Sequence, residues 1–331
     1  MDRSTITRYF PNLSSCCFFS LMVLYGLVIV FTFQDYGINP DELGHMTYGR
    51  SVVHWYLSGF NERRIFSWTN TWLYGGFFDT ITYLAMQVSP LEFFATRHLC
   101  TAAMGMLGVL AAYRIGCLLG SKWAGVLAAL FLILTPRYYG HAFNNHKDVP
   151  FAVLYLWSVY WQLKVLRSMP NGRWDWVVVT GVITGFAMGI RVGGVMLLCF
   201  AGVFWLLKSW RTDVKRCVFQ WFVALVVAYV VMLLFWPWAQ TDPIHHPLKA
   251  FVAFSKFADE HLSFFEGQYV RSTEIPWYYA FKWLLLTLPE FVFVGFLGGL
   301  FALVRTWRSA NKDTLLCFVL LVAAGFGPCS I

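Results

Sequence analysis

A chain of 331 residues with 58% hydrophobic and 13% charged residues and a mean hydropathy of +0.58 is too poor in charge for a soluble domain, where about 25% is usual. This excludes a soluble nucleotide-fold enzyme and points to an all-α polytopic membrane protein, whose unit of length is the span of roughly 20 residues. The net charge of +8 is spread over short loops with no nucleic-acid face. The eight cysteines show no metal spacing, and neither a Walker sequence nor a dinucleotide glycine fingerprint is present.

Apolar runs predict spans at about 16–33, 99–119, 123–135, 149–163, 177–190, 193–207, 217–236, 284–304 and 314–331, forming one transmembrane domain over 1–331. After the first span comes Asn39-Pro40-Asp41-Glu42-Leu43-Gly44-His45. Asn39 reads as an N-cap, Pro40 as the first helical residue and Glu42 as its reciprocal partner. Asp41, His45 and Tyr48 are then expected on one face of a helix lying along the membrane surface. The acids either complement the helix dipole or supply a general base. Tyr74-Gly75-Gly76-Phe77-Phe78-Asp79 reads as a turn into a second surface helix, with Asp79 either capping it or joining a site.

Thr135–Pro150 holds Arg137, His141, Asn144, Asn145, His146, Lys147 and Asp148 in a tight connection. Such polarity at membrane depth is costly unless it lines a cavity. An Arg fork plus a Lys point charge suits a phosphate. The alternative is a set of snorkelling side chains, with Asp148 capping the next helix. Gly189-Ile190-Arg191-Val192-Gly193-Gly194 breaks an apolar stretch into a hairpin of two short helices. Arg191 there is either a second phosphate contact or a hairpin-tip cation. In the second long loop, Trp236-Pro237-Trp238, Asp242-Pro243, His245-His246 and Pro276-Trp277-Tyr278-Tyr279 look like interface anchors, and the His-His pair is a weak metal signal.

More than half of the 25 Lys/Arg, but among the acids only Asp2, Asp175, Asp213 and Asp313, fall on the side of the N-terminus. By the positive-inside bias that side is cytoplasmic. The two long loops, about 34–98 and 237–283, are then non-cytoplasmic and carry surface helices. All eight histidines fall on their side.

These motifs, in this order over residues 16–304, resemble the family 39 glycosyltransferases of the GT-C fold, whose relatives include protein O-mannosyltransferases and lipid A aminoarabinose transferases. The resemblance is greatest to bacterial membrane members, which implies a multi-pass protein of the bacterial inner (plasma) membrane with a periplasmic or extracellular active site. It implies a hexosyltransferase-type enzyme moving a sugar from a polyprenyl-phosphate donor to an acceptor hydroxyl on a protein, lipid or glycan, usually with inversion. Carried over, Asp41 would be the base on the acceptor, supported by Glu42. Arg137, Lys147 and Arg191 would stabilise the leaving phosphate. His45, Asp79, His141 and Asn145 are accessory candidates. The chain stops inside a span where such enzymes continue, so further C-terminal spans are expected to be lacking. No cofactor is required by the sequence, and a divalent metal is left open. The alternatives are a transporter for an anionic solute, which should show paired halves, and a non-catalytic assembly subunit.

Overall fold

The computed structural model describes residues 13–67, 70–255 and 262–306, together with 319, 320 and 322. The span expected at 314–331 lies outside the described residues apart from those last three positions, as does His261.

The first half of the described chain comprises α1 (Leu13–Thr32), α2 (Glu42–Leu57), α3 (Phe77–Val88), α4 (Phe93–Leu119), α5 (Lys122–Leu134), α6 (Pro136–Asn144) and α7 (Asp148–Ser168). It continues with α8 (Trp174–Met188), α9 (Val195–Ser209), α10 (Val214–Leu234), α11 (Pro237–Thr241), α12 (His245–Ser255), α13 (Tyr279–Thr287) and α14 (Glu290–Thr306). Among the described residues, α1, α4, α7, α10 and the stretch Val192–Ser209 are long and apolar enough to cross a membrane. Two bent pairs, α5 with α6 at 68° and α13 with Glu290–Phe301 at 107°, are broken or re-entrant by the same measure. The molecule is thus an all-α polytopic membrane protein, as its composition implies.

One feature departs from helix. Leu262–Phe265 and Gln268–Arg271 pair as an antiparallel hairpin, Phe265 opposite Gln268. Its two-residue turn is Glu266-Gly267, with φ of 53° and 82°. Positive φ at both central positions matches the right-handed strand twist.

Small residues set the closest helix crossings. Gly116 on α4 lies against Gly125 on α5, and Gly181 and Gly185 on α8 lie against the carbonyls of Ala224 and Ala228 on α10. Gly181 and Gly185, like Ala224 and Ala228, are four apart, so α8 and α10 present flat strips to one another, as association in lipid favours. Buried polar groups pin α7, α8 and α9 together. Ser158 and Thr184 hydroxyls meet at 2.7 Å, and the Gln162 amide donates to Ser158 Oγ at 3.2 Å and to Leu197 O at 3.0 Å. Ser209 at the far end of α9 reaches Met169, just past α7, at 3.3 Å. Hence α9 returns alongside α7 instead of continuing α8, and 189–194 is the tip of a hairpin.

Candidate active site

The chain gathers its chemistry at one end of the bundle. Gly75 packs on Gly189, Phe77 N donates to Gly189 O at 2.9 Å and Gly76 N to Phe235 O at 2.7 Å. Trp236 Nε1 donates to Trp72 O at 2.9 Å. The turn before α3 is therefore stitched to the end of α8 and the end of α10. Gly49 on α2 lies against the Asp79 carbonyl, so α2 and α3 cross closely. Asn144 Nδ2 donates to Gly37 O at 3.3 Å, tying α6 to the segment that leaves α1.

The segment before α2 forms as expected, with a shifted boundary. Asn39 Oδ1 accepts from Asp41 N at 3.1 Å and Glu42 Oε2 accepts from Asn39 N at 3.2 Å. This is a reciprocal cap that leads into an α-helix at Glu42. The buried face of α2 is Glu42, His45, Tyr48, Gly49, Val52 and Trp55, so Glu42 joins His45 on it and Asp41 does not. That corrects the expectation that Asp41, His45 and Tyr48 share a face: the first helical turn rotates Asp41 outward.

Inside lies a closed polar cluster. Arg97 Nη2 donates to Asp79 Oδ1 at 2.7 Å, and His45 Nδ1 lies 2.7 Å from Asp79 Oδ2. Arg97 Nε faces Glu42 Oε1 at 3.7 Å, beyond a direct hydrogen bond. His98 Nε2 lies 3.3 Å from Glu42 Oε1 and 3.4 Å from its Oε2. Burial works to raise the Asp79 carboxyl, but His45 and then Arg97 overcome it and hold it well below the usual carboxylate range. The His146 ring lies 4.7 Å from that of His45. Burial first, and then the Arg97 charge, push it down to about 2, so it is neutral. Asp79 thus joins the cluster, while the start of α3 has no side-chain cap.

An outer rim faces solvent. Lys147 Nζ lies 3.4 Å from Asp41 Oδ2, with the Lys147 side chain 16% and the Asp41 side chain 64% exposed. The same ammonium sits 4.8 Å over the Tyr74 ring, and that ring makes an edge contact with His45 at 5.8 Å. Asn145 Nδ2 donates to Asp148 Oδ2 at 3.1 Å and its Oδ1 accepts from Asp148 N at 2.9 Å. Arg191 Nη2 bonds Asp148 Oδ1, while Arg191 Nε has no partner.

The structure therefore brings together Asp41, Glu42, His45, Asp79, Asn145, Lys147 and Arg191. Arg137 and His141 stay apart. Among the described residues neither shows an ion pair or hydrogen bond to the cluster. Arg137 is exposed at the start of α6, with about 10 Å of helical rise between it and Asn144 at the end nearest Lys147. Three residues of the cluster were not chosen from the sequence: Arg97, His98 and His146. The expected span began at 99, leaving Arg97 and His98 in a loop, whereas α4 starts at Phe93 and buries both. The usable signal was two ionisable groups abutting a long apolar run. In the second loop His246 stacks on Trp238 with centroids 4.2 Å apart, while His245 bonds Asp242 at 3.0 Å. The adjacent histidines thus serve different neighbours.

A cleft of about 460 Å³ reaches the cluster at His98 and is lined also by Gln34, Tyr36, Glu92 and Phe94. An almost wholly apolar groove of about 490 Å³ is lined by Met188, Val192, Leu198, Tyr229, Met232 and Phe251. Arg191 falls in the sequence between two of its lining residues, Met188 and Val192.

Residues 78–238 match the family model described as dolichyl-phosphate-mannose-protein mannosyltransferase. The matched stretch runs from α3 to α11 and contains Asp79, Arg97, His98, His146, Lys147 and Arg191, while Asp41 and Glu42 precede it. No curated protein and no solved structure gives a significant match.

Proposed function

We propose, on the premise that the chain is a membrane glycosyltransferase of the GT-C type, that it transfers a sugar from a polyprenyl-phosphate donor to an acceptor hydroxyl at the rim formed by Asp41, Lys147, Asp148 and Arg191. A multi-pass protein whose cations and carboxylates gather at one end of the helices has its chemistry at a membrane surface. By the charge bias of its loops, that surface is the non-cytoplasmic one. The observation that carries the reading is the meeting of Asp41 with Lys147 at 3.4 Å, beside an Arg191 that adjoins an apolar groove. A donor of this kind needs that combination: cations for the phosphate, an apolar channel for the isoprenoid tail and a carboxylate for the acceptor proton.

In this reading the phosphate is held by Lys147 and Arg191. Both already face carboxylates, so an incoming phosphate exchanges one anion for another, and the cations never sit bare. When Lys147 turns to the phosphate, the Asp41 carboxylate is freed. It then takes the proton from the acceptor hydroxyl as the oxygen attacks the anomeric carbon, and the C–O bond to the lipid phosphate breaks with its electron pair on phosphate. The two cations stabilise that developing charge. Glu42, buried against Arg97 and His98, fixes the start of α2 and so the position of Asp41. A base of this kind contributes about 10²–10⁴-fold in rate.

The test uses purified protein, a panel of polyprenyl-phosphate sugars and lipid-phosphate release as the readout. Asp41→Asn keeps the size of the side chain and removes the base. Turnover is expected to fall by about 10²-fold or more with donor-lipid binding retained, whereas Arg191→Ala should weaken donor binding. Near-normal turnover of Asp41→Asn would exclude it as the base.

A further inference from the structure

Among the described residues, the fully buried members of the always-charged types are Glu42, Asp79 and Arg97 alone. Both carboxylates face the one guanidinium, and each is also approached by an imidazole, Asp79 by His45 and Glu42 by His98. One member of the cluster stands out. His146 is 3% exposed, and neither of its ring nitrogens has a hydrogen-bond partner. Buried polar nitrogens without partners are rare enough to need a reason. The His146 ring sits against the His45 ring, and one donor atom each from His45, Asp79 and His146 lie within 4.8 Å of one another.

We propose that His45, Asp79 and His146 bind a divalent metal ion, zinc by the chemistry of the donors, which bridges α2, α3 and the connection between α6 and α7. Two imidazoles and a carboxylate are a familiar zinc donor set, with ligand distances of about 2.0–2.2 Å. An ion at those distances spaces tetrahedral donors by about 3.4 Å, so the His45–Asp79 contact opens slightly while His146 closes in. Arg97 holds the other oxygen of Asp79 at 2.7 Å, which fixes the carboxylate the way groups behind a metal ligand do. The ion gives the buried His146 ring the partner it otherwise lacks.

Its effect is positional. His45 is one helical turn from Asp41, and His146 is the neighbour of Lys147. The ion therefore ties the helix carrying one half of the rim to the loop carrying the other. This inference needs only the buried cluster, and its test uses neither donor nor acceptor, so it stands or falls apart from the transferase reading.

The measurement is the metal content of protein purified in detergent without chelator, by mass spectrometry of the elements. A stoichiometric amount of zinc is expected in the parent protein. It should be kept in His141→Ala, a histidine of the same segment outside the cluster, and in the double variant His245→Ala/His246→Ala at the surface. It should be lost from His146→Ala, since removing even a group behind the ligands costs about 10–100-fold in affinity. X-ray absorption on the parent protein keeps the test independent of how that variant folds, with a shell of nitrogen and oxygen at about 2.0–2.2 Å expected. Parent protein without stoichiometric metal, even after dialysis against zinc, overturns the proposal. Zinc retained by His146→Ala, zinc lost from the surface double variant, or a sulfur shell overturns it equally.

Discussion

Arg97 is the side chain around which the buried cluster is built. Its guanidinium faces Asp79 on one side and Glu42 on the other, with no exposure of any of the three beyond a few per cent. Removing one member of a buried ionic group strands the rest, at about 3–5 kcal/mol. Arg97→Leu is accordingly expected to lower the thermal unfolding midpoint strongly in detergent. Arg173→Leu, at the exposed Arg173–Asp175 pair, should leave it in place, because solvent already screens that contact. An equal midpoint for the two variants would refute the account of the cluster. At this scale the sequence was legible where chemistry is local. Asp41, Glu42, Lys147 and Arg191 are conspicuous because each interrupts apolar or turn-forming surroundings. Arg97, His98 and His146 were not chosen, since their importance comes from partners 15 to 56 positions away for the first two and 101 for His146, and no local pattern records such a distance.

Helices as units were easier to read than their ends. Apolar runs announce α1, α7 and α10 directly, because a span in lipid needs little besides length and hydrophobicity. The start of α4 was missed since its first turns carry Arg97 and His98, which look like loop residues until buried partners are known. The hairpin at 262–271 was missed because exposed four-residue strands in an aromatic loop have no clean alternation to betray them. Packing between helices is legible only afterwards. Gly181 and Gly185 give α8 its flat strip, but which partner lies against it cannot be told from α8. The crossing makes a direct prediction. A Cβ at Gly185 would sit 2.6 Å from Ala228 O and from Val231 Cβ, so Gly185→Leu forces α8 and α10 apart at a cost of about 1–3 kcal/mol or more. Its unfolding midpoint should drop, while Gly298→Leu on α14, with nothing within 4 Å, should be tolerated. Equal tolerance at both positions would show that the crossing is loosely packed.

For the molecule as a whole, the ends of α1, α6, α8 and α10 meet the starts of α2, α3, α4 and α7 on one side of the bundle, so the candidate site lies at a single face. From the charge bias of the loops we propose that this face is the outer one. Glu62→Cys is expected to react with an impermeant maleimide in intact cells, over the background of the parent protein, while Arg211→Cys reacts only after the membrane is opened. Labelling at position 211 but not at 62 would invert the orientation and move the chemistry to the cytoplasm. The bundle class and the presence of a polar face were legible from composition and loop charge. The division of that face into a buried cluster and an exposed rim was not, because it depends on how the step of about 100° between adjacent residues sets Asp41 outward and Glu42 inward.

The stitch at Gly75 and Gly76 carries one more implication. Phe77 N, Gly76 N, Gly189 O and Phe235 O are main-chain atoms, and every residue type except proline carries both of these groups. The join between three segments far apart in the chain is therefore indifferent to most side chains near it. What it does require is the absence of a Cβ where Gly75 meets Gly189. Descendants of this architecture are free to exchange the surrounding side chains, so long as that contact stays bare. Ancestry should then be traceable by the placement of small residues long after overall identity has decayed.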